Sequence, residues 1–201
     1  MLRSCSTMSK TWFLFVIGAL VACAEAPPGE SAELRGDTTT TAMRVALERF
    51  RTTVQGMPPD TLTGAPDRDE LVQRFVAAVQ RADTAALINM TMNRGEFAYL
   101  YYPHSIYSRA PYQQDAETAW LLSKANSEKG LTRILQRFGG QRLELTGYDC
   151  AAEPKQEGPN RFWQECTLTA QVAGAPPAMR WFGGIWERDG RYKFISYAND
   201  L

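Results

Sequence analysis

Apolar positions recur at helical spacing through the first two thirds of the chain and alternate in the last third. In residues 41–55, Met43, Leu47, Phe50 and Val54 follow at intervals of four, three and four, one narrow stripe that predicts a helix. GMPPDTLTGAP breaks it. A second helix is predicted from Asp67 as cap, with Glu70 completing a capping box and Leu71, Val72, Phe75, Val76 and Val79 forming the buried face. Asp83 caps a short third one, TAALINM. EFAYLYYP reads as a lone strand, with Phe97, Tyr99 and Tyr101 on one face and Ala98, Leu100 and Tyr102 on the other. Pro103 ends it, having no N–H for a ladder. From Asp115 a long helix runs to Gly139 and Gly140, with an interruption expected near Ser127.

Beyond Gln141 the period falls to two. Strands are predicted over 142–149, 161–172, 179–187 and 191–197, the last two joined by an Asp-Gly hairpin turn in ERDGRY. Gly183 and Gly184 predict a bend.

The N-terminus is organised differently. MLRSCSTMSK carries positive charge, and TWFLFVIGALVA is a 12-residue apolar run ending in small residues, the layout of an export signal. A bilayer-spanning helix needs roughly 20 residues, so an uncleaved anchor is the weaker reading. LVAC at 20–23 closes the run and resembles the lipobox of bacterial lipoproteins. The resemblance implies cleavage before Cys23 and lipid on its thiol and new amino group. Membrane attachment follows, because stable anchoring takes two acyl chains or more. Ala24, standing where an aspartate causes inner-membrane retention, implies the outer membrane of a Gram-negative envelope, with the domain facing the periplasm. An ordinary secretory signal is the alternative. The resulting segments are a signal peptide over 1–22, a flexible tether over 23–40 with a reach of roughly 20 Å, an N-terminal helix and linker over 41–66, and a main domain over 67–201.

Cysteine usage fits this layout. Cys5 leaves with the signal and Cys23 takes lipid, so Cys150 and Cys166 remain as one pair for an oxidising compartment. Their bridge would staple a hairpin across the polar loop AAEPKQEGPN, worth about 3 kcal/mol by loop closure. In an unbroken strand Cys150 lies on the face opposite Leu143 and Leu145, so a bulge is predicted near Thr146 or Gly147. Two cysteines and one distant histidine do not make a zinc ligand set. At 44% hydrophobic and 11% aromatic the composition is that of a folded chain. Basic and acidic residues number 22 each; without residues 1–22, which hold Arg3 and Lys10 and no acid, 20 stand against 22. That balance gives no reason to expect nucleic acid as a partner.

The order of elements is similar to the NTF2-like (SnoaL-like) superfamily. FVAAVQRADTAALINM resembles its first helix running into a turn aspartate, Asp83, with Leu87 four residues later; DGRYKFISYANDL resembles its terminal strand, with Tyr192 at an aromatic position. The resemblance covers about 67–201. It implies an α+β cone, a curved antiparallel sheet wrapped around helices and an interior pocket, here with an extra N-terminal helix. The superfamily holds isomerases, cyclases, dehydratases and non-catalytic binding or dimerising domains, so activity has to be read from the pocket's own residues.

Those residues are sought in FAYLYYPHSIYSR, a segment placed to cross the mouth of such a cone. Tyr99, Tyr101, Tyr102, His104, Tyr107 and Arg109, with Trp120 from the long helix, are the candidate ligand-binding groups. Tyrosine hydroxyls and an imidazole can orient a ligand carbonyl or move a proton. The same aromatics also serve as a packed wall with hydroxyls at the rim. Isomerases of the superfamily pair a carboxylate base with hydroxyl donors. Glu144, Glu165 and Glu187 lie in predicted strands but match no catalytic position, and His104 has neither a second histidine nor a paired carboxylate near it in sequence. No catalytic residue, metal or cofactor is therefore assigned. Trp163, Trp181 and Trp186 add rings that pack or line a pocket, and Lys129, Arg133 and Arg137 read as a solvated helix face. Three functions stay open: a lipoprotein domain binding a small apolar or aromatic ligand or an envelope component, an isomerase or cyclase-type enzyme using a tyrosine with a carboxylate or His104, and a homodimerisation or assembly module using the outer sheet face.

Overall fold

The computed structural model describes residues 30–172 and 178–198, with side chains from Thr41 onward. The export signal and Cys23 lie outside the described residues. Helix α1 (Glu30–Thr52) starts before residue 41, so 30–40, expected to belong to a flexible tether, is helical. Pro27, Pro28 and Gly29 all precede residue 30, and within 30–40 Gly36 is the one glycine and no proline occurs. Helix α2 (Arg68–Gln80) is capped as predicted by Asp67, whose Oδ1 accepts the Glu70 N–H at 2.7 Å. The reciprocal half of the predicted capping box does not form, because the Glu70 carboxylate pairs with Arg74 at 2.8 Å instead. Asp83 accepts the Ala86 N–H to cap α3 (Thr84–Asn89).

The predicted lone strand is helical instead. A turn α4 (Arg94–Glu96) leads into a π turn (Phe97–Tyr101) and two short 3-10 turns ending at Ser108. Asn93 and Glu96 cap it reciprocally: Asn93 Oδ1 accepts the Glu96 N–H and Glu96 Oε2 accepts the Asn93 N–H, both at 2.9 Å. Apolar residues on both faces of EFAYLYYP reflect a segment buried on several sides, with Phe97, Ala98, Leu100 and Tyr102 all below 4% exposed. Helix α5 (Ala116–Phe138) is uninterrupted. Ser127 does not break it, because its hydroxyl accepts the Tyr197 N–H at 3.1 Å. Gly130 costs helix propensity but admits the C-terminal chain: a Cβ there would stand 2.5 Å from the Ala198 carbonyl oxygen.

The last third forms two antiparallel sheets. The first has the order β1-β4-β5, from β1 (Glu144–Asp149), β4 (Thr167–Gln171) and β5 (Ala178–Met179). The second has the order β2-β3-β6-β7, from β2 (Lys155–Glu157), β3 (Asn160–Trp163), β6 (Ile185–Arg188) and β7 (Arg191–Phe194). The predicted strand 161–172 is thus split between sheets at Gln164–Cys166, where Glu165 takes a left-handed φ of 56°. The predicted strand 179–187 splits likewise, with Gly183 and Gly184 at the bend. Main-chain bonds tie that bend to the chain just after β7, Gly183 N to Ser196 O at 2.9 Å and Ile195 N to Gly184 O at 3.0 Å. The loop read as AAEPKQEGPN contains β2. The β1–β4 register shifts between Leu145 and Gly147, the bulge the cysteine positions require. Cys150 and Cys166 form a disulfide, and Asp189 (φ 53°) with Gly190 (φ 71°) turns β6 into β7.

Two cores result. Phe75 of α2 packs on Trp181, Phe182, Phe194 and Tyr197, at ring distances of 5.4 to 5.9 Å. Phe97 packs on Phe50 of α1, Tyr101, Tyr102 and Trp120 of α5, at 5.4 to 5.7 Å. Truncating rings so enclosed typically costs about 3–5 kcal/mol each.

Candidate functional site

The π turn rearranges the main-chain bonding around 97–104. Tyr102 N–H reaches back five residues to Phe97 O. The carbonyls of Ala98 and Leu100 accept side chains: Arg51 Nε at 3.2 Å on the first, Asn160 Nδ2 at 2.9 Å and Arg188 Nη1 at 3.2 Å on the second. Buried Asn160 in turn accepts Trp186 Nε1 at 3.0 Å. The aromatic segment is thereby pinned to α1, β3 and β6, a rigid arrangement.

Its candidate residues serve the packing in different ways. Tyr99 lies under the Arg51 guanidinium at 4.7 Å. Tyr101 meets Phe162 and Trp186 edge-on, and burial raises its hydroxyl pKa well above the ordinary range. Tyr102 donates to Gln114 O at 2.6 Å; burial, aided by the Asp115 carboxylate, pushes its pKa up to about 12. His104 rests on Gly158, and burial with the Arg188 charge holds its pKa below the usual imidazole value. Tyr107 and Arg109 are exposed. Among the described residues, a further tyrosine hydroxyl does face a carboxylate: half-buried Tyr148 of β1 donates to Asp69 Oδ1 at 2.6 Å, away from the candidate segment.

Of the candidate set, Trp120 alone lines a cleft that the described residues form beside α5. This cleft of about 250 Å³ opens between α3, the 91–94 turn, α5 and the end of β7. Met92, Trp120, Leu131, Ile195 and Tyr197 supply apolar wall, while Ser123, Lys124, Ser127 and Glu128 contribute polar groups from α5. An engineered apolar cavity of roughly 150 Å³ admits benzene, so the cleft has room for a molecule of one or two rings. The Tyr197 hydroxyl is spent on Leu87 O at 2.7 Å, and burial drives its pKa far up.

A buried ion pair borders the cleft. Lys193 Nζ stands 2.9 Å from both Glu96 oxygens, with side-chain exposures of 5% and 1%. Glu96 also accepts Thr63 Oγ1 at 2.7 Å, so the carboxylate taken from water is fully partnered. Sequence reasoning passed over both residues. The legible signals were the Asn-x-x-Glu capping pattern at 93–96 and a lysine beside Phe194 in a terminal strand.

The other marked residues are either packed in or against the core or exposed. Trp181 and Trp186 are core, and Trp163 is flanked by Arg68 at 4.6 Å and Arg161 at 5.8 Å. Glu144 and Glu165 are exposed. Glu187 is hydrogen-bonded to Arg161; burial raises its pKa, but the Arg161 and Gly190 N–H bonds outweigh it and leave the carboxyl below its ordinary value. Lys129, Arg133 and Arg137 are exposed along α5. Among the described residues no three His, Cys, Asp or Glu side chains gather as metal ligands, and no helix is long and apolar enough to cross a membrane. The large exposed apolar side chains there (Val45, Met57, Ile88, Tyr107, Tyr112, Leu121 and Leu122) lie on helices and loops, not on strands.

Compared with protein-family models, with curated proteins and with solved structures, the chain matches none.

Proposed function

We propose that this chain is a bacterial lipoprotein, held to a membrane through lipid on Cys23 and facing the periplasm, whose NTF2-like domain binds a small, largely apolar ligand without transforming it. The observation that carries the binding reading is the cleft between α5 and β7, with Trp120, Met92 and Leu131 on its walls. Ligand sites have this character, apolar walls with a few polar groups. The lipobox-like LVAC at 20–23 supports anchoring, and the Cys150–Cys166 disulfide suits an oxidising compartment. Support for the NTF2-like reading comes from helices α2, α3 and α5 preceding antiparallel strands that bend at Glu165 and at Gly183–Gly184, with the cleft on the helical side of β7. The enzyme reading needs a tyrosine hydroxyl facing a carboxylate or His104 in the cleft; His104 does not line it, and the Tyr197 hydroxyl there is spent on Leu87 O.

The test is to express the full chain in a Gram-negative host with an alkyne fatty acid, then analyse the purified protein by native mass spectrometry. Label incorporation lost in Cys23→Ser, together with a bound small molecule lost in Trp120→Ala, is the expected result. Unlabelled wild type would end the anchoring reading, and equal ligand retention in Trp120→Ala would end the cleft reading.

A further inference from the structure

Every charge on the cleft wall already has a counter-charge. Lys193 is held by Glu96, Arg94 Nη2 lies 3.1 Å from both oxygens of Glu117, and Lys124 pairs with Glu128. Removing one partner of a buried pair strands the other, so Lys193 is not free to turn to an anion. The Lys124–Glu128 pair is exposed and weak, but opening it releases both signs together.

Unspent hydrogen-bonding capacity lies elsewhere, on the amide groups of Asn89 and Asn93 and on two half-buried neutral hydroxyls of α5. Ser123 and Ser127 stand four residues apart on α5, on the same side of the helix, and both line the cleft. Ser127 Oγ accepts the Tyr197 N–H, which leaves its own proton to give, and it donates to no described residue. Ser123 makes no side-chain hydrogen bond to a described residue either. Thr132, by contrast, spends its hydroxyl on the Glu128 carbonyl, the usual fate of such a group on a helix.

From this we infer that the ligand of the cleft is an uncharged molecule of one or two rings carrying a hydrogen-bond acceptor, such as a carbonyl, received by Ser127 with Ser123 beside it. The inference rests on the cleft being the binding site and names what that site selects.

Three probes of one shape separate the outcomes by calorimetry and by the amide shifts of cleft residues: 2-acetylnaphthalene, 2-ethylnaphthalene and 2-naphthoate. The ketone is expected to bind most tightly, by roughly tenfold over the hydrocarbon, the upper end for one neutral hydrogen bond. Ser127→Ala should bring the ratio of ketone to hydrocarbon affinity close to one, whatever it does to both affinities together, and an unchanged ratio overturns the assignment to Ser127. Should that variant fold poorly, the ranking of the three probes on the wild-type protein decides alone. Tighter binding of 2-naphthoate, or equal binding of ketone and hydrocarbon, overturns the inference while the binding reading stands. No binding by any of the three overturns the binding reading itself.

Discussion

Lys193, on the last strand, and Glu96, at the start of the π-containing segment, form an ion pair at 2.9 Å in which both side chains are at least 95% buried. The pair ties β7 to the wall that precedes Trp120 and so fixes one side of the cleft. Thr63 and Asn93 complete the bonding of the carboxylate.

Breaking that pair singly should be costly, because the remaining charge has no water. Lys193→Met is expected to lower unfolding stability by about 3–5 kcal/mol, while the double variant Glu96→Gln/Lys193→Met recovers a large part of the loss. Urea denaturation of both variants and of Glu96→Gln measures this as a cycle. A double variant no more stable than Lys193→Met would show that the two side chains are not coupled.

Asn160 offers a second test of the segment's anchoring. It is fully buried, donates to Leu100 O and accepts from Trp186 Nε1. Replacing it by leucine leaves the indole N–H without an acceptor, a loss of about 2 kcal/mol. The measured quantity is the shift of the urea midpoint at constant slope. A change within 0.5 kcal/mol, the ordinary scatter for surface sites (roughly ±0.5), would deny the network its role.

His104 supplies a pH signature free of assignment problems, since the chain has one histidine. Burial, reinforced by the Arg188 charge, favours the neutral ring in the folded state. The unfolded chain therefore takes up the proton more readily. Any stability linked to this group is present above the usual imidazole value of about 6.5 and falls away as pH drops from there through the lower folded pKa. The imidazole carbon-bound proton resonances, followed from pH 8 to about pH 4, should give a midpoint below about 6.5. A midpoint at or above that value would mean that the ring is neither desolvated nor governed by the Arg188 charge.

Much of the fold was legible because local chemistry and tertiary demands agree there. Asp67 and Asp83 cap the helices they were expected to cap, and the bulge at Leu145–Gly147 followed from needing Cys150 on the face of Cys166. The reading of 97–102 failed because strand-like alternation and all-round burial look alike in a short apolar run, and the deciding bond, Asn93 with Glu96, lies just upstream. Ser127 misled for a related reason. A serine weakens a helix in isolation, but here it is bonded to Tyr197, 70 residues further along the chain. The cleft was hidden because its walls come from α3, α5 and β7, segments up to 110 residues apart by the Leu87–Tyr197 bond, and only Trp120 stood out by residue type.

On the proposed reading a ligand enters beside Trp120 rather than among Tyr101, His104 and Tyr107. Amide shift mapping of the ¹⁵N-labelled domain with 2-acetylnaphthalene tests it most directly. Saturable shifts concentrated at Met92, Ser123, Ser127, Ile195 and Tyr197 are the predicted result. Saturable shifts centred instead on residues 99–109, or none in either region, would contradict it.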